Sequence, residues 1–172
     1  MRNVRLLASF LFYLSRILAI PYLATALYCI ISFMFRHSMV HPFDEGKRFV
    51  INYPFTNSRF LIGDDYSFGY VFEMIAFIGL YGVFLWLLSN VFNIFREKKL
   101  FTEKGVRRLK WFYMTNLLVP LPFLIGHIVL SYEVGLLIIL TALHAVLGVF
   151  AYFMAVIFSR GLQLQNEQDL IF

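Results

Sequence analysis

Cysteine is nearly missing from this chain. Its one copy, Cys29, excludes an intramolecular disulfide and, lying within a long apolar run, reads as a small apolar filler. The motifs of common catalytic machinery are missing too. There is no HExxH, GxSxG, P-loop or CxxC, and no His/Glu set with metal-ligand spacing, so neither an enzyme nor a bound metal or cofactor is expected. Charge is scarce in a more instructive way. Four stretches carry no Asp, Glu, Lys or Arg at all: Ile17 to Phe35, Met74 to Phe95, Trp111 to Tyr132 and Val134 to Ser159.

Each of those stretches, coiled as a helix at about 1.5 Å per residue, covers roughly the 30 Å of a bilayer's hydrocarbon layer. Apolar residues make up 60% of the 172, against ~45–50% in soluble domains, and they are concentrated in these runs. An all-α membrane protein follows: a four-transmembrane-helix bundle of two antiparallel helical hairpins, forming one domain over residues 1–172. The connections are an external loop over 36–70, a cytoplasmic loop over 96–110 and a cytoplasmic tail over 160–172. The net charge of +5 would point to nucleic acid in a soluble protein. Here no direct nucleic-acid binding is expected, because basic excess is what cytoplasmic membrane loops carry.

The Lys and Arg distribution fixes the orientation. Arg2, Arg5 and Arg16 precede the first span; Arg96, Lys98, Lys99, Lys104, Arg107, Arg108 and Lys110 join the second to the third; Arg160 follows the fourth. The opposite side has Arg36, Lys47, Arg48 and Arg59. The positive-inside bias places both termini in the cytoplasm. Ala24-Thr25-Ala26 has the small-x-small form of a signal-peptide cleavage site, but Arg16 shortens the apolar run before it and apolar sequence continues past it, so cleavage is not expected. Arg2, Arg5, Ser9 and Arg16 recur at helical spacing and predict a short interfacial helix leading into span one.

In the external loop, two β-prone runs, Lys47 to Tyr53 and Ser58 to Gly63, flank Pro54-Phe55-Thr56-Asn57 and predict a small hairpin. Alone it is marginal in water, so it must rest on the helix ends. Asp44, Glu45, Asp64 and Asp65 lack clear ligand spacing and read as solvated loop residues. In the cytoplasmic loop, Thr102 is suited to cap the third helix, Glu103 to its first turn, and Phe101 with Val106 to a hydrophobic staple. Glu133, the one charge between Lys110 and Arg160, marks a tight external turn that makes the third and fourth spans antiparallel neighbours.

Polar groups inside the spans are few. Asn90 and Asn116 fall at one depth, beside Ser89 and Thr115, and predict interhelical hydrogen bonding. His144 sits near the middle of span four and His127 nearer the outer end of span three; a neutral His bonded to a hydroxyl or carbonyl is the expectation. Pro120 and Pro122 predict a kink, and Gly79 and Gly82 close helix approach.

The two cytoplasmic segments resemble a bacterial group, the YoaS-like membrane proteins, a family grouped under a domain of unknown function. The likeness rests on Ile94-Phe95 through Leu100-Phe101-Thr102-Glu103-Lys104 to Arg107-Arg108-Leu109, and on Arg160-Gly161-Leu162 followed by Glu167-Gln168-Asp169-Leu170-Ile171. Lys104 stands where the family commonly has Asn, and Ile171 is displaced by one position. The resemblance implies a four-helix protein of the bacterial inner membrane without assigned activity. Its members are often encoded beside a small helix-turn-helix regulator, which implies a regulatory partnership.

The expected function is a non-enzymatic interaction, signalling or regulatory partner in that membrane. Its contact surface for a protein partner or anionic lipid would comprise Arg107, Arg108 and Lys110 on the basic loop, with Glu167 and Asp169 of the tail free to clasp or release it. The alternative is a small transporter or resistance/immunity factor whose apolar or peptide ligand would meet Asn90, Asn116 and His144.

Overall fold

The four uncharged runs are largely helical, and the helices of the first, second and fourth are longer than their runs, because a charge limits a membrane span but does not break a helix. The structure, a computed structural model, describes residues 2–35, 39–130 and 132–169, with the backbone alone for Arg2 and Asp169. Arg36 and His37 at the start of the loop expected over 36–70, Ser131 beside Glu133, and Leu170-Ile171, among the residues that carry the family resemblance, lie outside them.

Helix α1 spans Arg2–Met34 without interruption, passing through Pro21. The predicted separate interfacial helix is therefore its first turns, since nothing in Arg5, Ser9 or Arg16 halts helical hydrogen bonding. Strands β1 (Val40–Phe43), β2 (Arg48–Asn52) and β3 (Arg59–Gly63) follow, and then helix α2, Phe68–Ile94. The predicted third span is broken into α3, Glu103–Leu118, and α4, Pro120–Val129, joined through Val119. That is the expected consequence of Pro120 and Pro122, which supply no N–H to the preceding turn. Helix α5, Gly135–Asp169, is 35 residues long. Taking α3 and α4 together, four helices among the described residues are long and apolar enough to cross a membrane.

The chain divides into two compact units: residues 16–85, and residues 1–15 with 86–172. In the first, β1-β2-β3 forms an antiparallel sheet. The predicted hairpin is β2–β3; β1 is an additional strand, and its Pro42 sits where an edge strand tolerates a residue without N–H. Phe49 and Ile51 of β2 and Val40 of β1 are buried with Cys29 of α1, and Phe33, Tyr66 and Ile75 pack around them. This contact answers how so small a sheet persists: its apolar face is covered by helix. Gly63 makes room for the Phe49 ring, because a Cβ there would overlap it. Gly82 likewise brings α2 against α1, where a Cβ would meet Leu23 at 2.8 Å; at Gly79 the contact with Ala26 is an ordinary 3.5 Å.

The acidic loop residues serve a turn, an ion pair and the start of α2. Asp44 and Glu45, both at φ +56°, with Gly46 at φ +83°, form the β1–β2 turn. Asp64 is ion-paired with Arg48. The Asp65 carboxylate accepts from the Ser67 N–H (3.0 Å) and hydroxyl (2.6 Å), and Ser67 Oγ in turn accepts from the Tyr70 N–H at 3.4 Å in the first turn of α2.

In the second unit, α3 lies along α5. Ile94, Leu109, Ala155 and Phe158 form a buried cluster, with Phe101 and Val106 both packed against it, so the two staple residues share one core. Glu133 lies in the short connection between Val129 of α4 and Gly135 of α5, where its carbonyl oxygen faces His127 Nδ1 at 3.3 Å.

Candidate functional site

Two groups of predicted residues come together differently from expectation. The first is a polar node between α3 and α5. Asn116 is 3% exposed. Its Nδ2 donates to the Phe112 carbonyl at 2.8 Å, one turn back on the same helix. That bond aims the amide oxygen outward from α3, towards His144 on α5, where Oδ1 and Nδ1 are 2.7 Å apart. Two acceptors cannot share a hydrogen bond, so Nδ1 carries the ring hydrogen and donates, which leaves Nε2 as the acceptor of the neutral ring. Gly148, one turn further along α5, permits this approach: a Cβ there would lie 2.7 Å from the Leu117 side chain and 3.4 Å from the Asn116 Cβ. Thr141, one turn in the other direction, has a buried hydroxyl with no hydrogen-bond partner among the described residues.

The expected partner of Asn116 was Asn90; the bond Asn116 makes across helices is to His144. Depth was matched for Asn90 and Asn116, whereas His144 was placed nearer the middle of its span; which residues meet depends on helix rotation and offset, and Gly148 leaves room for α3 to approach α5 beside Asn116. Asn90 is half-buried on α2. Its neighbour Ser89 is fully buried and donates to the Trp86 carbonyl of its own helix at 2.6 Å. A groove of about 460 Å³ is present in the other unit, lined by Ile30, Phe33, Phe68, Phe72 and Ile75 among others; Asn90, Asn116 and His144 do not line it.

The second group is the basic end of α3. Thr102 caps the helix, its Oγ1 accepting from the Gly105 N–H at 3.1 Å. The cap fixes the rotation of the first turns, and Lys104, Arg107 and Lys110 become an exposed stripe, continued by the exposed Trp111. Arg108 faces inward and is ion-paired with Glu97 of the preceding loop at 2.7 Å. The loop docks on α5 through Phe101, whose ring lies 5.3 Å from that of Phe158 and over Gly161, where a Cβ would meet it at 2.7 Å. Gly161 and Phe101, both inside the two sequence motifs, therefore meet in space.

Glu167 is exposed, six residues beyond Gly161 on the same helix, roughly 9 Å further along its axis. Arg108 takes Glu97 rather than Glu167, because a loop carboxylate beside it closes a shorter circuit than one on a helix running on past the contact. Asp169 ends α5, and its side chain lies outside the described residues.

One cluster escaped the sequence reading. Arg96 Nε donates to Ser9 Oγ, Nη1 to Asn93 Oδ1 and Nη2 to Tyr13 Oη, each at 3.2 Å, and its guanidinium stands 4.2 Å over the Phe12 ring. Ser9 was noticeable only for its helical spacing from Arg5; nothing local pairs it with a residue 87 positions away. No family model, curated protein or solved structure matches the chain.

Proposed function

We propose that this chain is a multi-pass protein of a cytoplasmic membrane, with four crossings and the basic loop inside, acting as a non-enzymatic interaction or regulatory partner. The observation that carries the reading is the exposed stripe Lys104, Arg107, Lys110 on a helix whose start is capped and whose loop is docked on α5. At 35 residues α5 measures about 52 Å, against roughly 30 Å of hydrocarbon, so its last turns extend past the membrane next to that stripe. The working surface is then a preformed platform, basic on α3 and carrying Glu167 on α5. Membership of the YoaS-like group belongs to the same proposal and rests on the two motifs that meet at Phe101 and Gly161.

The partner is an acidic protein segment, with anionic headgroups holding the same stripe in its absence. A photo-crosslinking residue at Arg107, in the full chain in native membranes, tests this. A defined protein adduct, lost in K104E/K110E, is the expected result; lipid adducts alone, or a protein adduct indifferent to the charge reversal, would overturn it. The transporter reading is less favoured, because the Asn116 amide is already engaged by Phe112 and His144.

A further inference from the structure

The β2–β3 tip, Tyr53 to Ser58, is the one part of the sheet where apolar exposure, backbone strain and lack of charge coincide. Phe55 is 106% exposed and holds φ +59°, in the left-handed region that a bulky L residue rarely adopts. Tyr53 is exposed as well.

The direction of the sheet gives this a meaning. Near the C-terminal end of α1, the Phe33 ring packs edge-on to Phe49 of β2 at 5.2 Å. Five residues earlier on α1, about 7.5 Å down its axis, Tyr28 donates from its hydroxyl to the Asn52 carbonyl at 2.6 Å and stacks edge-on with Phe60 at 5.5 Å. From Phe49 to Asn52, then, β2 runs back along α1, and the tip beyond Asn52 points towards the middle of that apolar helix.

The two ends of the sheet differ in charge accordingly. The opposite end holds Asp44, Glu45 and Lys47 in the β1–β2 turn, with Arg48, Asp64 and Asp65 beside it; the tip itself has no formal charge, and its end of the sheet carries Arg59 alone, paired with Asn52. The tip also satisfies much of its own backbone. The Tyr53 N–H donates to the Ser58 carbonyl (2.9 Å), the Thr56 N–H to the Tyr53 carbonyl (3.1 Å) and the Ser58 N–H to Thr56 Oγ1 (3.3 Å), while Pro54 has no N–H.

We propose that the β2–β3 tip is a membrane-interface anchor, with Phe55 the inserting side chain and the exposed Arg59 reaching lipid phosphate. The proposal rests on the membrane insertion proposed above. The interface, where aromatic rings collect, is the level that fits, since irregular backbone is not tolerated in the hydrocarbon itself.

Single-tryptophan chains test it in vesicles of phosphatidylcholine and phosphatidylglycerol whose acyl chains are brominated near the headgroup or near their ends. One variant is F55W with W86F and W111F; the control, W111F, keeps Trp86 inside α2. The expected result is blue-shifted F55W emission, quenched several-fold more by shallow than by deep bromine and little by acrylamide, with the control quenched by lipid too. If acrylamide quenches F55W and bromine does not, while Trp86 responds to bromine, the anchor is refuted and insertion stands. If neither tryptophan responds to bromine, insertion fails and the anchor with it. Blue-shifted F55W emission insensitive to both quenchers would place the tip against protein and also refute the anchor.

Discussion

At the scale of the residue, the Asn116–His144 bond is the most exposed to test. It joins two helices, and interhelical hydrogen bonds of this kind are worth ~0.6–2 kcal/mol in an apolar medium. A double-mutant cycle of N116A and H144A, followed by unfolding in detergent, should return a coupling in that range; additive single effects would mean that the two side chains merely lie near each other. Gly148 supplies a second test. A methyl group there meets Leu117 at 2.7 Å, so G148A should destabilise by about 1–3 kcal/mol, and L117A in the same chain should recover part of the loss. Neither residue's importance is legible from the sequence. Gly148 is one of ten glycines, and only the side chain opposite distinguishes it from Gly135 or Gly126, which face open space.

At the scale of the element, local chemistry was read well where one segment contains both partners. Thr102 and Gly105 lie within a single turn, so the cap was visible in the sequence and is present in the structure. T102A should cost roughly 0.5–2 kcal/mol and T102S much less, with faster amide exchange at Gly105 in the alanine variant alone as the check. The proline break between α3 and α4 was visible for the same reason: proline acts on the turn immediately before it. Strand β1 was missed, because Val40-His41-Pro42-Phe43 is only four residues long, has one β-branched residue and contains a proline, and is recruited by pairing with β2. Within that sheet, Y28F removes the hydroxyl that ties α1 to Asn52. It should destabilise by about 0.5–1.5 kcal/mol and loosen the hairpin, measured as faster amide exchange at Tyr53 and Thr56 with α3 unaffected.

At the scale of the whole molecule, the distribution of charge governs. The basic loop, the docked Phe101 and the end of α5 fall together at one end of the second unit, while the acidic turn and Asp64-Asp65 belong to the sheet of the first. Under the proposed orientation, a cysteine placed at Lys99 should be shielded from a membrane-impermeant maleimide in intact cells, and one placed at Glu45 labelled; the reverse pattern would invert the topology. The stripe Lys104, Arg107, Lys110 should make any anionic contact salt-dependent, since each residue near a charged surface contributes ~1 kcal/mol that screening removes.

The sequence by itself determined where the helices run, where one is capped and another broken, and which loop is basic. Each of these depends on residues within a few positions of one another, whose backbone preferences and hydropathy act locally. Only the tertiary structure decided that Asn116 meets His144, that Arg96 is gripped by Ser9, Phe12 and Tyr13, and that the hairpin folds back along α1. Those outcomes depend on the rotation and offset of helices distant in sequence. Such offsets are set by where a glycine lets backbones close and a bulky ring holds them apart, and no single segment contains both halves of that contact.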